Sequence, residues 1–212
     1  MCSIAGYTGT HKPGIISKFL KDLHHRGPDD KGTYTDGKVH LCVNRLAIID
    51  ISHGMQPMSH ESGKTSIIFN GEIYNYIELK KELESNGHIF QTDCDTEVVL
   101  NAYIEWGENL VEYLNGMFAF CIYDKNTEDI LLFRDRLGEK PIYYLIDDSR
   151  EIYFSSEYKS LTNCIDNHNL NYNTINNDAL AWYFAHKAMP NNQSIDNRIN
   201  MLPPGSILKY SL

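Results

Sequence analysis

The chain has 212 residues and a formal net charge of −9 at pH 7; 42% of its residues are hydrophobic and 22% are charged. That length supports one domain with a substantial core, and the acidic balance argues against nucleic acid or an anionic membrane surface as its main partner. No apolar run approaches the roughly 18 residues of a membrane span, and the N-terminus lacks the basic-then-apolar pattern of a secretory leader.

At the N-terminus stands Met1-Cys2-Ser3-Ile4-Ala5-Gly6. A small second residue invites removal of the initiator Met, and the chain would then begin with a cysteine. Such a residue carries a nucleophile and a base together: a thiol of pKa about 8.5 and an α-amine of pKa about 7.7–8.0. Position alone leaves open that Cys2 merely starts a buried strand.

Ser3 to Tyr7 predicts a short strand closed by Gly9. Apolar residues at 15, 16, 19, 20 and 23 predict a helix over Ile15–Leu23. Val39–Asp50 and Thr65–Phe69 read as strands, the second stopping at an Asn70-Gly71 turn. Asn75 and Glu78 suggest a capping box, with Gly87 closing the helix that follows. Asp95 opens a second helix with Val98, Val99, Ala102, Tyr103 and Trp106 on one face. Met117–Tyr123 with Asp129–Phe133 reads as a hairpin, as does Pro141–Ile146 with Glu151–Ser155.

Seven asparagines fall between Asn163 and Asn177, which predicts a surface loop. A short helix near Asp178–His186, another polar loop and a last strand over Ser206–Tyr210 complete the chain. Strands dominate and the helices come in pairs, without βαβα alternation, so the expected fold is α+β with mostly antiparallel sheets. No Gly-rich phosphate loop is present. The other cysteines (Cys42, Cys94, Cys121, Cys164) are scattered without a C-x-x-C. This predicts no metal site, reduced thiols and a cytoplasmic location.

Four segments place polar groups where strands end: His25-Arg26-Gly27-Pro28-Asp29-Asp30, Asn44-Arg45-Leu46-Ala47-Ile48-Ile49-Asp50, Phe69-Asn70-Gly71-Glu72-Ile73-Tyr74-Asn75 and Asp95-Thr96-Glu97. A fifth, Arg134 to Tyr144, is dense in charge. Read from residue types alone, Arg45 suits a salt bridge to a carboxylate such as Asp50, Asn70-Gly71 a turn, and Asp95 a helix N-cap.

In this order, behind Cys2, the five segments resemble the class II glutamine amidotransferases, and in particular the glutaminase domain of glutamine-hydrolysing asparagine synthetases. The resemblance runs from Cys2 to about residue 210. It implies a four-layer αββα N-terminal-nucleophile hydrolase sandwich spanning residues 2–212. It also implies a reaction in which Cys2 attacks the side-chain amide of L-glutamine and forms a thioester.

Asn70 and Gly71 are the implied oxyanion hole. Arg45 is implied to bind the substrate α-carboxylate and Asp95 its α-ammonium. Leu46, Ile48 and Ile49 would add contacts through their backbone, and Glu72 would assist Asp95 or order Asn70. Arg26, Asp29 and the Arg134–Tyr144 segment would be scaffold. No cofactor is expected for glutamine hydrolysis. ATP and Mg belong to the family's synthetase domain, whose Ser-Gly-Gly-x-Asp-Ser loop does not occur in this sequence, so ammonia would pass to a synthetase domain or subunit. A homodimer is compatible with this reading.

Three other readings compete. A non-catalytic glutamine-binding regulatory module would lack a working Cys2. An N-terminal-nucleophile amidase for another substrate would not need the Arg45 and Asp95 pair. A subunit serving another acceptor, such as a surface sugar, would differ only outside this chain.

Overall fold

The computed structural model describes residues 1–167, 175–189 and 192–212. Two sheets lie face to face, and every strand pairing in them is antiparallel. The first contains β1 (Ser3–Thr8), β2 (Asp30–Thr35), β3 (Val39–Arg45), β8 (Tyr143–Ile146), β9 (Ile152–Ser155) and β10 (Asn200–Met201), ordered β10-β8-β9-β1-β3-β2. The second contains β4 (Met58–Ser59), β5 (Thr65–Ile73), β6 (Gly116–Asp124), β7 (Asp129–Arg134) and β11 (Ile207–Ser211), ordered β11-β7-β6-β5-β4.

Helices α2 (Tyr76–Ser85), α3 (Asp95–Trp106) and the short α4 (Leu110–Tyr113) cover the second sheet. Helices α1 (Ile15–Asp22) and α5 (Tyr158–Asn167) cover the first. The last helix, α6, spans Asn177–His186.

The layering follows from the period of two along each strand. In β6, Phe118, Phe120 and Ile122 pack with Leu79, Leu83, Val98 and Val99 of the helices. The intervening Ala119, Cys121 and Tyr123 pack between the sheets with Ile4, Leu41, Val43 and Phe154. On the outer face of the first sheet, Ala5, Tyr7 and Cys42 meet Ile15, Phe19 and Leu161. Three stacked cores therefore separate four layers in the order α, β, β, α, the expected sandwich. Both expected hairpins form, as β6–β7 and β8–β9.

Several expectations are corrected. The strand from Val39 ends at Arg45, because residues 46–51 leave the sheet to wall a cavity. Asn70-Gly71 is no turn: β5 runs through both residues to Ile73, paired with β6 throughout. The capping box at Asn75 does not form. The Asn75 side chain instead accepts from Asn115 N at 3.0 Å and donates to Tyr113 O at 3.0 Å, stitching the helix start to the segment between α4 and β6. Gly87 does close α2, with φ at 97°.

Cys94, not Asp95, is the N-cap of α3, and Asp95 is the first helical residue. The expected loop over Asn163–Asn177 begins as the end of α5, and its residues 168–174 lie outside the described residues, as do residues 190–191 of the next polar loop. Within that stretch Asn176 caps α6, its side chain accepting from Ala179 N at 3.0 Å. Edge strand β2 was not expected; its alternation of half-buried and exposed residues gives little apolar signal.

Candidate active site

Cys2 lies one residue before β1, the inner strand that pairs with both β3 and β9. The β1–β3 register sets Ser3 opposite Asn44 and so brings Cys2 beside Arg45 and Leu46. The Cys2 thiol accepts from Leu46 N at 3.4 Å and lies 3.6 Å from Leu46 O. Arg26 Nε donates to Cys2 O at 3.2 Å, and its guanidinium also meets Glu157 at 3.2 Å. Arg26 thus fixes the backbone of Cys2, in keeping with the scaffold role expected of it.

The opposite wall comes from β5. The side chains of Asn70 and Glu72 share a strand face with Ile68, which looks toward the first sheet. The backbone around Gly71 is equally ordered. Phe118, opposite Gly71, directs its N–H and C=O toward Asp135, away from β5. Gly71 therefore sits at a non-hydrogen-bonded pair of the ladder, with its own N–H turned to the open edge of β5.

The N–H groups of Phe69 and Ile73 face that same edge and are taken by Gln56 Oε1 at 2.7 Å and Asp95 Oδ2 at 3.1 Å. The Gly71 N–H lies between these two occupied donors. A Cβ on Gly71 would stand 2.3 Å from Met117 O, so the close strand approach requires glycine. The Asn70 side-chain nitrogen is buried and has no hydrogen-bond partner. An orphaned buried donor beside a thiol is unusual enough to point to a ligand.

These walls enclose a cavity of about 100 Å³. All nine site residues expected from the sequence line it: Cys2, Arg45, Leu46, Ile48, Ile49, Asn70, Gly71, Glu72 and Asp95. Met1 lines it as well. The residues that complete it include Gly54, Gln56, Thr96 and Lys140, to none of which the sequence reading gave a binding or catalytic role. Gln56 joins two walls, since its amide nitrogen donates to Thr96 Oγ1 at 3.3 Å while its oxygen holds Phe69. No spacing rule marks Gln56; only chain closure brings it there.

Arg45 makes contacts the sequence did not suggest. Its guanidinium is nearly buried and donates to the carbonyls of Ile49 (3.2 Å), Asp50 (2.8 Å) and Ile51 (3.0 Å), and to Asp30 at 3.4 Å. It meets Asp50 through the backbone rather than the carboxylate. Gly54 makes the space, for a Cβ there would lie 2.7 Å from the guanidinium. The Asp50 carboxylate instead accepts from His53 N and Asp93 N, and Asp29 accepts from Ala47 N at 2.9 Å. Residues 46–51 are thereby held as a rim.

Charge in the cavity is uneven. Burial pushes Asp95 up to about 7, against 3.8 for an ordinary aspartate; the Ile73 N–H opposes the rise and nearby Glu72 adds to it. Burial also raises Glu72, with Lys140 opposing. Two carboxylates facing one small cavity are a receptor for a cation. Burial raises the Cys2 thiol too, countered by the Leu46 N–H, the N-terminal ammonium and Arg45. Among the described residues no cluster of three or more potential ligands could hold a metal ion, and no helix is long and apolar enough to cross a membrane.

The Arg134–Tyr144 segment is mostly scaffold, as expected. The Asp135 carboxylate accepts from the backbone N–H groups of Phe118, Leu137, Glu139 and Lys140 at 2.9–3.2 Å. Arg134 donates to the carbonyls of Lys140, Leu202 and Gly138. The end of this scaffold, Lys140, reaches the cavity itself.

A cysteine heading an inner strand, set in a cleft between two antiparallel sheets with helices outside, defines an N-terminal-nucleophile sandwich. Comparison with known proteins narrows the class. The chain belongs to the glutamine amidotransferase domain family, which it matches over residues 1–212.

It is 40% identical over 217 residues to asparagine synthetase [glutamine-hydrolyzing] 1 of Bacillus subtilis, covering 97% of this chain and 33% of that protein. It is 40% identical over 220 residues to a putative asparagine synthetase [glutamine-hydrolyzing] 2 of Methanocaldococcus jannaschii, covering 92% of this chain and 41% of that protein. The chain thus spans a third to two-fifths of the length of these relatives.

Two solved structures share the fold. One is the allosteric regulatory enzyme of purine biosynthesis (TM-score 0.69, 21% identity, 98% of this chain and 46% of that one). The other is the glutamine phosphoribosylpyrophosphate amidotransferase of B. subtilis (TM-score 0.64, 18% identity, 99% and 49%).

Proposed function

We propose that the chain hydrolyses the side-chain amide of glutamine to glutamate and ammonia through a thioester on Cys2. The observation that carries this reading is the pair of free donors on β5, the buried Asn70 amide and the Gly71 N–H, facing the cavity that holds the thiol. The substrate's two charged ends find partners as well. Asp95 and Glu72 suit the α-ammonium, and the α-carboxylate fits the positive rim of Arg45 and the backbone of Leu46, Ile48 and Ile49.

Chemically, Met1 is removed first. The Cys2 thiol passes its proton to the new α-amine, directly or through a water. The thiolate forms an S–C bond to the amide carbon, and the carbonyl electron pair moves onto oxygen, facing Asn70 and Gly71. Collapse re-forms the carbonyl and breaks the C–N bond. The leaving nitrogen takes the proton from the ammonium and departs as ammonia. Water then adds to the thioester, glutamate leaves, and the proton returns to sulfur. Every step closes with protein groups and water alone.

The relatives' names, which join glutamine hydrolysis to asparagine synthesis, support delivery of this ammonia to a synthetase domain or separate subunit; an ATP-dependent amidation there and a cytoplasmic setting are part of the same proposal. ATP and Mg would belong to that part. Assembly as a homodimer is compatible with this arrangement.

The test is glutamate and ammonia release by the purified chain beside Cys2→Ala, with intact mass to establish loss of Met1. Turnover that vanishes in Cys2→Ala supports the reading. Equal turnover in both proteins, or glutamine failing to bind a correctly processed chain, overturns it.

A further inference from the structure

Lys140 is a buried cation without an anionic partner. It is 5% exposed and lines the Cys2 cavity. Its backbone is pinned from both sides, by Asp135 accepting its N–H at 3.0 Å and by Arg134 donating to its carbonyl at 3.0 Å. The point from which the side chain enters the cavity is therefore fixed. Among the described residues its ammonium meets no carboxylate within 4.0 Å, and its one hydrogen bond is to Met1 Sδ at 3.0 Å. A thioether is a weak acceptor for a buried ammonium. It also belongs to the residue bonded to the Cys2 nitrogen. Removing Met1 strips Lys140 of that contact and shifts the chain's α-amine onto Cys2 itself.

We propose that Lys140 is a positioning residue: after Met1 is removed, its ammonium stands near the new α-amine of Cys2 and holds that amine in the neutral form that can take the thiol proton. The inference rests on the thioester chemistry above. The physical reason is like-charge repulsion in a poorly solvated cavity, which disfavours a second ammonium.

The other charges around this point are accounted for. From the 3-10 turn before β2 comes Arg26, paired with Glu157 ahead of α5. From β3 comes Arg45, paired with Asp30 and the rim carbonyls. From β5 comes Glu72, and from α3 come Asp95 and the Cys94 thiol. Lys140 is the one cation among these whose charge no hydrogen-bonded anion or carbonyl offsets. Glu72 feels it across the cavity.

The experiment uses the full chain with Met1 shown absent by intact mass. In a Cys2→Ala background, competitive acylation of the α-amine against pH, read by mass, gives its pKa directly and without catalysis. Lys140→Met should raise that pKa by about one unit, the size expected for removing one charge several ångströms away. Lys140→Arg, which keeps the charge, should leave it near the native value. With Cys2 intact, the acid limb of kcat/KM for glutamine should move upward by the same amount in Lys140→Met and return in Lys140→Arg.

Should Lys140→Met fold poorly, Lys140→Gln serves in both measurements. An unchanged amine pKa in the neutral variants overturns the proposal, whatever their turnover. An amine pKa that is higher in Lys140→Met than in the wild type, in a wild-type chain that does not hydrolyse glutamine, keeps Lys140 in its place and overturns the glutaminase reading instead.

Discussion

At the scale of single residues, the strongest feature is a donor with nothing to donate to. The Asn70 amide is buried and unpaired, an arrangement that costs about 1–3 kcal/mol unless a ligand repays it. A side chain kept there to meet an oxyanion should matter more to the transition state than to glutamine binding. Asn70→Ala should therefore lower kcat by about 10²–10³-fold and change KM little; steady-state kinetics on the processed chain decide this. A fall of only a few-fold would leave Asn70 a structural residue.

Asp95 makes a prediction in pH. Its carboxyl is pushed up to about 7, from an ordinary 3.8. Between those values the folded protein holds a proton that the unfolded chain has lost, so stability falls as pH rises from about 4 to 7. Asp95→Asn should flatten that decline in denaturant midpoints taken at pH 5 and pH 8. Binding works in the opposite sense. An α-ammonium favours the ionised carboxylate, so glutamine should bind more tightly as pH climbs through 7, and this slope should vanish in Asp95→Asn. A pH-independent affinity in the wild type would remove Asp95 from the ammonium site.

Among the elements, β5 and the turn after β7 do most to build the site, and they differ in how readable they are. The strand from Thr65 was legible from its β-branched, apolar run. Its continuation through Asn70-Gly71 was not, because that dipeptide is a strong turn signal in isolation. What overrides it is pairing: β6 supplies a partner for every residue to Ile73, and Gly71 gives the close approach that Met117 and Phe118 demand. That nine candidate residues would gather at one cavity was legible because a family resemblance ties them to Cys2. Gln56 and Lys140 were not, because each reaches the cavity from a loop with no periodicity to read.

The turn after β7 illustrates the same point energetically. One carboxylate, Asp135, holds four backbone N–H groups and is almost wholly buried. Asp135→Ala should destabilise the chain by at least about 3 kcal/mol, since charged acceptors are worth about 1.5–3 kcal/mol each and the orphaned donors stay buried. Urea unfolding followed by circular dichroism measures this. Asp135→Asn, which keeps one acceptor oxygen, should lose less.

For the whole molecule, the important fact is that no single layer owns the site. Cys2 and Arg45 belong to the first sheet, Asn70 and Glu72 to the second, Asp95 to the helix over the second, and Lys140 to the connection between the sheets. The core between the sheets therefore sets the distance from the Cys2 thiol to Asn70 and Gly71, while the two outer cores only hold helices on. A misplacement of about 1 Å in such an arrangement can cost about 10²-fold in rate.

Matched substitutions separate these roles. Ile68 is fully buried between the sheets, two residues before Asn70 on the same strand face. Ile15, the first residue of α1, is buried in the outer core. Ile68→Val and Ile15→Val each remove one methylene, and each should lower stability by about 0.5–1.5 kcal/mol. At temperatures where both variants stay folded, Ile68→Val should reduce kcat several-fold, and Ile15→Val should leave it unchanged. Equal kcat values in the two variants would mean that the spacing of the sheets tolerates a lost methylene, and that the site is held by its rim loop and hydrogen bonds instead.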